Sequence, residues 1–178
     1  MAGHRKIVGL RWARRAQCPW PTTRSRGAKA QGLRYERAIG ALLPAGAEHN
    51  PWFEFEDANG RGFCSPDFLL AQGVGDSLAI LECKYTWVPE AHTQMELLYK
   101  PVLQAVFKQP VLAVAICRNL VPAMPGNLVI CSSLDQALRV AHAGQSPVWH
   151  NLASQLRPRK RPRARPGAMS FVAARAAL

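Results

Sequence analysis

"SPDFLLAQGVGDSLAILECKYTW", residues 65–87, governs the reading of the whole chain. From Leu78 to Cys83 the pattern is that of a buried strand, a short apolar run entered through the turn residues of "GVGDS". Yet Glu82 and Lys84 sit on it, two residues apart and on the same side as Leu78 and Ile80, because side chains alternate along a strand. Desolvating a carboxylate and an ammonium group is so costly that a simple ion pair between them only breaks even. Another group must share the site. Asp67, behind Pro66 on the preceding hairpin, can bring a second carboxylate beside Glu82, because sequential strands usually pair. Two converging carboxylates make a hard-oxygen site for Mg²⁺ or Mn²⁺, and the backbone carbonyl of Cys83 is the natural extra ligand. Lys84 then points into the same cavity without being a ligand, where an ammonium group can orient or help deprotonate an attacking water and offset charge on a phosphate.

The flanking sequence supplies the frame. "AKAQGLRYERAIGALLPAG" predicts a helix over 28–43, ended by Pro44 and Gly46. Leu33, Glu36, Ile39, Gly40 and Leu43 fall at helical spacing, which places Glu36 on the face that meets the core. "PWFEFEDANGRGFCSPDFLLAQ" alternates around an Asn59-Gly60 turn, giving strands near 52–57 and 62–70. "EAHTQMELLYKPVLQAVFKQ" predicts one helix over 91–108, bent at Pro101. "PVLAVAIC" and "NLVICS" have strand length, and Ser132 with Asp135 predicts a capping-box start for a helix that Gly144 ends. Helix, three strands, helix, strand, strand, helix is the order of an α/β fold: a mixed sheet flanked by helices, hairpins first and a crossover later.

A chain of 178 residues suits one domain. It is 48% hydrophobic with a mean hydropathy of −0.10, and no apolar run approaches a membrane span of about 18 residues, so no membrane partner is expected. Five cysteines without a close pair, and no secretory leader, point to a reducing, cytoplasmic setting; without a C-x-x-C clamp, structural zinc is not expected. The net charge of +12 is concentrated at the ends. Residues 1–29 hold eight Lys or Arg and 157–178 hold seven, neither with an acid; the remaining eight face all 11 acids, so the middle is net −3. The chain therefore divides into a basic N-terminal arm (1–27), a folded domain (28–156) and a basic C-terminal tail (157–178) whose Arg-Pro alternation cannot form a core. Flexible basic arms suit a polyanion, with Arg14, Arg15, Arg24, Arg26, Lys29, Arg159, Lys160, Arg161, Arg163 and Arg165 as the nucleic-acid-binding candidates. An Arg-rich, acid-free N-terminus is also the composition of a transit peptide, which leaves organelle import open.

Pro66-Asp67, then Glu82-Cys83-Lys84, after a helix bearing Glu36, resembles the PD-(D/E)XK nuclease superfamily, the restriction-endonuclease-like fold. The resemblance spans roughly residues 28–132. It implies that Asp67 and Glu82 are metal ligands, that Cys83 adds its carbonyl, that Lys84 is the catalytic lysine, and that Glu36 reaches the metal directly or through water. Some members carry a Gln and a Tyr on the helix after the lysine strand. Gln94 and Tyr99 resemble that pair, but stand five positions apart instead of four, an offset of about 100° on an α-helix that sends Tyr99 toward the core or the groove wall. Gln94 remains a site-lining candidate. His49, His142 and His150 show no partner pattern.

The resulting expectation is a Mg²⁺- or Mn²⁺-dependent deoxyribonuclease acting on DNA. Small size favours a structure-selective resolvase or repair enzyme, and the segment after "ECKYTW" also resembles phage proteins of the superfamily, which implies a phage or bacterial host. Resolvases of this superfamily work as dimers, so a homodimer is implied. The alternative is a non-catalytic DNA-binding or packaging factor on the same core.

Overall fold

A computed structural model describes residues 12–19, 26–71 and 75–154. Along the chain run β1 (Trp12–Ala16), α1 (Gly27–Gly40), β2 (Ala47–His49), β3 (Trp52–Asp57), β4 (Gly60–Cys64), β5 (Phe68–Leu70) and β6 (Leu78–Thr86). There follow α2 (Pro89–Gln94), a π-helical turn (Met95–Tyr99), α3 (Lys100–Phe107), β7 (Val111–Asn119), β8 (Leu128–Cys131), α4 (Leu134–His142) and β9 (Ser146–His150). Among the described residues the strands form two sheets, an antiparallel one ordered β1-β3-β4 and a mixed one ordered β2-β5-β6-β7-β9-β8. β2, β5 and β6 pair antiparallel, whereas β6, β7, β9 and β8 run parallel.

Alternation along β6 divides the core. Leu78 and Ile80 face Phe53 and Phe55 of the small sheet together with Tyr99, Val102 and Leu103. Ala79, Leu81 and Cys83 face the other way, onto Tyr35 and Ile39 of α1 and onto Ala137 and Leu138 of α4. The protein is therefore α/β, with helices on both faces of a mixed sheet. No helix among the described residues is long and apolar enough to cross a membrane.

Four local departures from the sequence expectations have physical causes. The expected strand over 62–70 divides at Ser65-Pro66: β4 stays with β3, and β5 crosses to the large sheet, because Pro66 offers no N–H to a ladder. Residues 12–16, assigned by composition to the flexible arm, form β1 on the exposed edge of β3. β9 has no counterpart among the expected strands, since Pro147 inside a five-residue run argues against a strand; it lies between β7 and β8, with Pro147 opposite Val129. The cap of α4 is one residue later than expected: Ser133 Oγ accepts from Gln136 N–H, and Gln136 Oε1 accepts in return from Ser132 N–H.

Candidate active site

The register between β5 and β6 places the first two carboxylates. Phe68 lies opposite Leu81 in an antiparallel pair, so one residue earlier Asp67 lies opposite Glu82. Both share the sheet face of Leu69 and Ile80, and Lys84 follows two residues on. Asp67 Oδ2 accepts the Cys83 N–H at 2.7 Å. Because N–H and C=O of one strand residue point to the same edge, the Cys83 carbonyl also faces Asp67 rather than β7. Lys84 Nζ donates to Glu82 Oε1 at 2.6 Å. Glu82 itself is 3% exposed, and its Oε2 is buried without a hydrogen-bond partner.

Glu36 arrives from the opposite sheet face. Its neighbours Tyr35 and Ile39 pack against Leu81 and Cys83, while its carboxylate reaches the edge strand, where His49 Nε2 and Asn50 Nδ2 meet Oε1 at 2.5 and 3.1 Å. Asn50 N–H donates to the Asp67 carbonyl at 2.9 Å, tying this corner to β5.

Asp67 and Glu82 each feel the charges of Glu36 and Lys84. Burial pushes the Asp67 carboxyl well above the usual carboxylate range, and the Glu82 and Glu36 charges push it further, against the Cys83 N–H and the Lys84 ammonium. Burial also raises Glu82, with Lys84 and the Asp67 N–H opposing and Glu36 adding to the rise. Burial by itself would lower the Lys84 pKa, but Glu82 and Asp67 more than offset this, so the amine is held above its ordinary value. Lys84 is therefore an ammonium donor at neutral pH, not a free base. An orphaned carboxylate oxygen among mutually repelling acids fits a divalent cation. Among the described residues, no three His, Cys, Asp or Glu side chains form a ready-made metal cage.

Tyr99 is buried in the core, as expected, but the helix that carries it differs from the expected one, and the backbone explains why. The segment over 91–108 is not one bent α-helix: Lys100 N–H bonds to Met95 O, five residues back, and the next residue, Pro101, has no N–H to close a normal turn onto Leu97. The π turn absorbs one extra residue, so Gln94 and Tyr99 return to the same side and Gln94 Nε2 donates to Tyr99 Oη. Burial raises the Tyr99 hydroxyl far above its ordinary pKa, and the Glu82 and Asp67 carboxylates it faces raise it further. Tyr99→Phe is expected to cost about 1 kcal/mol in urea unfolding, the worth of one such hydrogen bond, because partly exposed Gln94 can turn to water. A loss several times larger would mean the hydroxyl anchors the π turn itself.

The basic candidates are dispersed. Arg15 pairs with Glu48, Arg26 and Lys29 are exposed at the start of α1, and Arg14 lies in β1 opposite Glu54. Arg24, Arg159, Lys160, Arg161, Arg163 and Arg165 lie outside the described residues. Sequence patterns assign nothing to His49 and Asn50, whose place beside Glu36 depends on β2 pairing with β5. No local motif announces that pairing. The chain matches no family model, no curated protein and no solved structure, so the site is read from its own geometry.

Proposed function

We propose that the protein is a metal-dependent nuclease of the PD-(D/E)XK type, on a restriction-endonuclease-like core, that hydrolyses phosphodiester bonds in DNA. The observation that carries this reading is the register that sets Asp67 against Glu82 on the face of Lys84, with Glu82 Oε2 buried and unpartnered. Asp67, Glu82 and the Cys83 carbonyl would hold Mg²⁺ or Mn²⁺, and Glu36 would join directly or through water. When bound, such an ion polarises the scissile phosphate and stabilises the departing oxyanion. Lys84, fixed by Glu82 Oε1 and kept cationic, donates to the attacking water and holds it in line with phosphorus. Tyr99 and Gln94 close the wall on the α2 side. The basic segments outside the core carry the sequence-independent attraction to phosphates. The resemblance favours a structure-selective resolvase or repair role, in a bacterial cell or a phage-infected host, acting as a homodimer.

Cleavage of linear duplex, single-stranded, flapped and four-way-junction DNA, with Mg²⁺, with Mn²⁺ and with chelator, tests the reading. Metal-dependent cutting is expected, and Lys84→Ala is expected to lower it by roughly 10²–10³-fold, the usual cost of removing one preorganised donor. Wild-type protein that binds every substrate and cuts none with either ion would instead be a DNA-binding or packaging factor.

A further inference from the structure

A cavity of about 170 Å³ opens at the carboxyl ends of the parallel strands β6 and β7, between Gln31, Arg34 and Tyr35 of α1, Tyr85 of β6, Arg118 of β7 and Ser154 after β9. Crevices outside the carboxyl ends of parallel strands are where open α/β sheets take ligands. This one is separate from the acidic centre. Tyr85 follows Lys84 on β6 and therefore faces the other side of the sheet, packed with the α1 cluster.

The lining suits a planar ring that carries a negative charge. No carboxylate borders the cavity, although the folded region is net −3. Arg118 Cζ stands 5.9 Å over the Tyr85 ring, and Tyr35 meets Tyr85 in a T-shaped contact with centroids 6.0 Å apart. Aromatic rings and guanidinium planes are the surfaces on which unpaired bases stack. The groups are braced before any ligand arrives. Among the described residues Arg118 donates through Nη1, to the Leu152 and Ala153 carbonyls, which leaves Nε and Nη2 for a ligand. Tyr35 Oη donates to the Asn151 carbonyl at 2.9 Å, fixing the same wall. An apolar cavity of about 150 Å³ admits benzene, so this volume suits one base, with the attached phosphate left outside at exposed Arg34. A paired base cannot enter, because it must first leave its partner and its stacked neighbours.

We propose that this cavity binds one unpaired nucleotide of a nucleic-acid strand, with the base against Tyr85 and Arg118 and the phosphate on Arg34. The proposal rests on the DNA-binding part of the nuclease reading and adds to it the feature that the protein selects: a base outside the duplex stack.

Fluorescence anisotropy with full-length protein in chelator, which prevents metal-dependent cutting, provides the test. The probes are a paired duplex, the same duplex with one unpaired nucleotide, and that duplex with an abasic residue in place of the unpaired one. The unpaired nucleotide is expected to tighten binding by about 5–150-fold, the range of one base–aromatic stack, and the abasic residue to forfeit that gain. Tyr85→Leu should erase the gain and Tyr85→Phe keep it, with paired-duplex binding equal to wild type in both. Arg34→Gln, at an exposed position, should flatten the log–log salt slope by about 0.7–0.9 on the duplex with the unpaired nucleotide and not on the paired one. Equal affinity for all three DNAs, or a gain that survives the abasic residue or Tyr85→Leu, overturns the proposal; metal-dependent cutting in the same preparation would leave the nuclease reading standing. Adenosine monophosphate bound in a Tyr85-dependent way, while the three DNAs bind alike, also overturns it and makes the cavity a free-nucleotide site. No binding to any of the DNAs at low salt overturns both readings.

Discussion

Asp67→Asn is expected to abolish DNA cutting, by roughly 10³-fold or more, and at the same time to make the metal-free protein more stable by about 1 kcal/mol. The two effects share one cause. Asp67 stands opposite Glu82 in the β5–β6 register, and burial together with the Glu82 and Glu36 charges raises its pKa. Between the ordinary carboxyl value and that raised value, the native state holds a proton that the unfolded chain has released. Stability therefore falls as pH rises through this window, and the penalty is complete above the raised pKa. Asn keeps an oxygen to accept the Cys83 N–H and removes the charge, so it removes the penalty.

In chelator, wild type should thus melt lower at pH 8 than at pH 5, with a smaller difference in Asp67→Asn. Adding Mn²⁺ should raise the wild-type melting temperature at pH 8 and leave the variant much less affected. Duplex binding in chelator should be unchanged or tighter in the variant, because one negative charge has left the surface that faces phosphate in the proposed complex. A variant that is less stable than wild type at pH 8 without metal would show that Asp67 is a structural hydrogen-bond acceptor and not a repelled ligand.

Much of this centre is legible in the sequence because strand parity is rigid. Glu82 and Lys84 must share a face with Ile80 wherever β6 lies, and the helical spacing of Glu36 and Ile39 sets the inward side of α1. What stays hidden depends on choices a sequence does not encode locally. The hairpin pattern brings Asp67 to Glu82 from the strand it shares with β4; in the structure Asp67 approaches through β5 in the large sheet, because the chain changes sheets at Pro66. The five-residue spacing of Gln94 and Tyr99 is a misfit only while 3.6 residues per turn are assumed throughout, and the π turn absorbs the extra residue. His49 and Asn50 are illegible for a third reason: they meet Glu36 only because an edge strand of three residues lands beside β5.

Removing residues 157–178 is expected to weaken duplex binding by orders of magnitude and to flatten its salt dependence. The folded region between the basic ends is net −3 and carries three acids at its candidate site, so by itself it repels a phosphate backbone. Each cation–phosphate pairing that the deletion removes should make the log–log salt slope less steep by about 0.9, which is roughly eightfold in affinity across the decade from 0.1 M to 1 M salt. The tail holds seven Lys or Arg, and engagement of even half of them predicts a loss near 10³-fold. Charge, not sequence, should carry the effect: replacing every tail Arg with Lys should retain the slope, and replacing them with Gln should reproduce the deletion. Single-turnover cutting at saturating protein should be nearly unaffected, because in the proposed function the tail only attracts the substrate, while the acids and Lys84 act on it. Metal and tail should also couple, since a cation among Glu36, Asp67 and Glu82 cancels part of the same repulsion. Chelator is then expected to weaken binding more in the shortened protein than in the full chain, and an unchanged slope after deletion would place the phosphate-binding cations elsewhere, on exposed Arg26 and Lys29 at the start of α1.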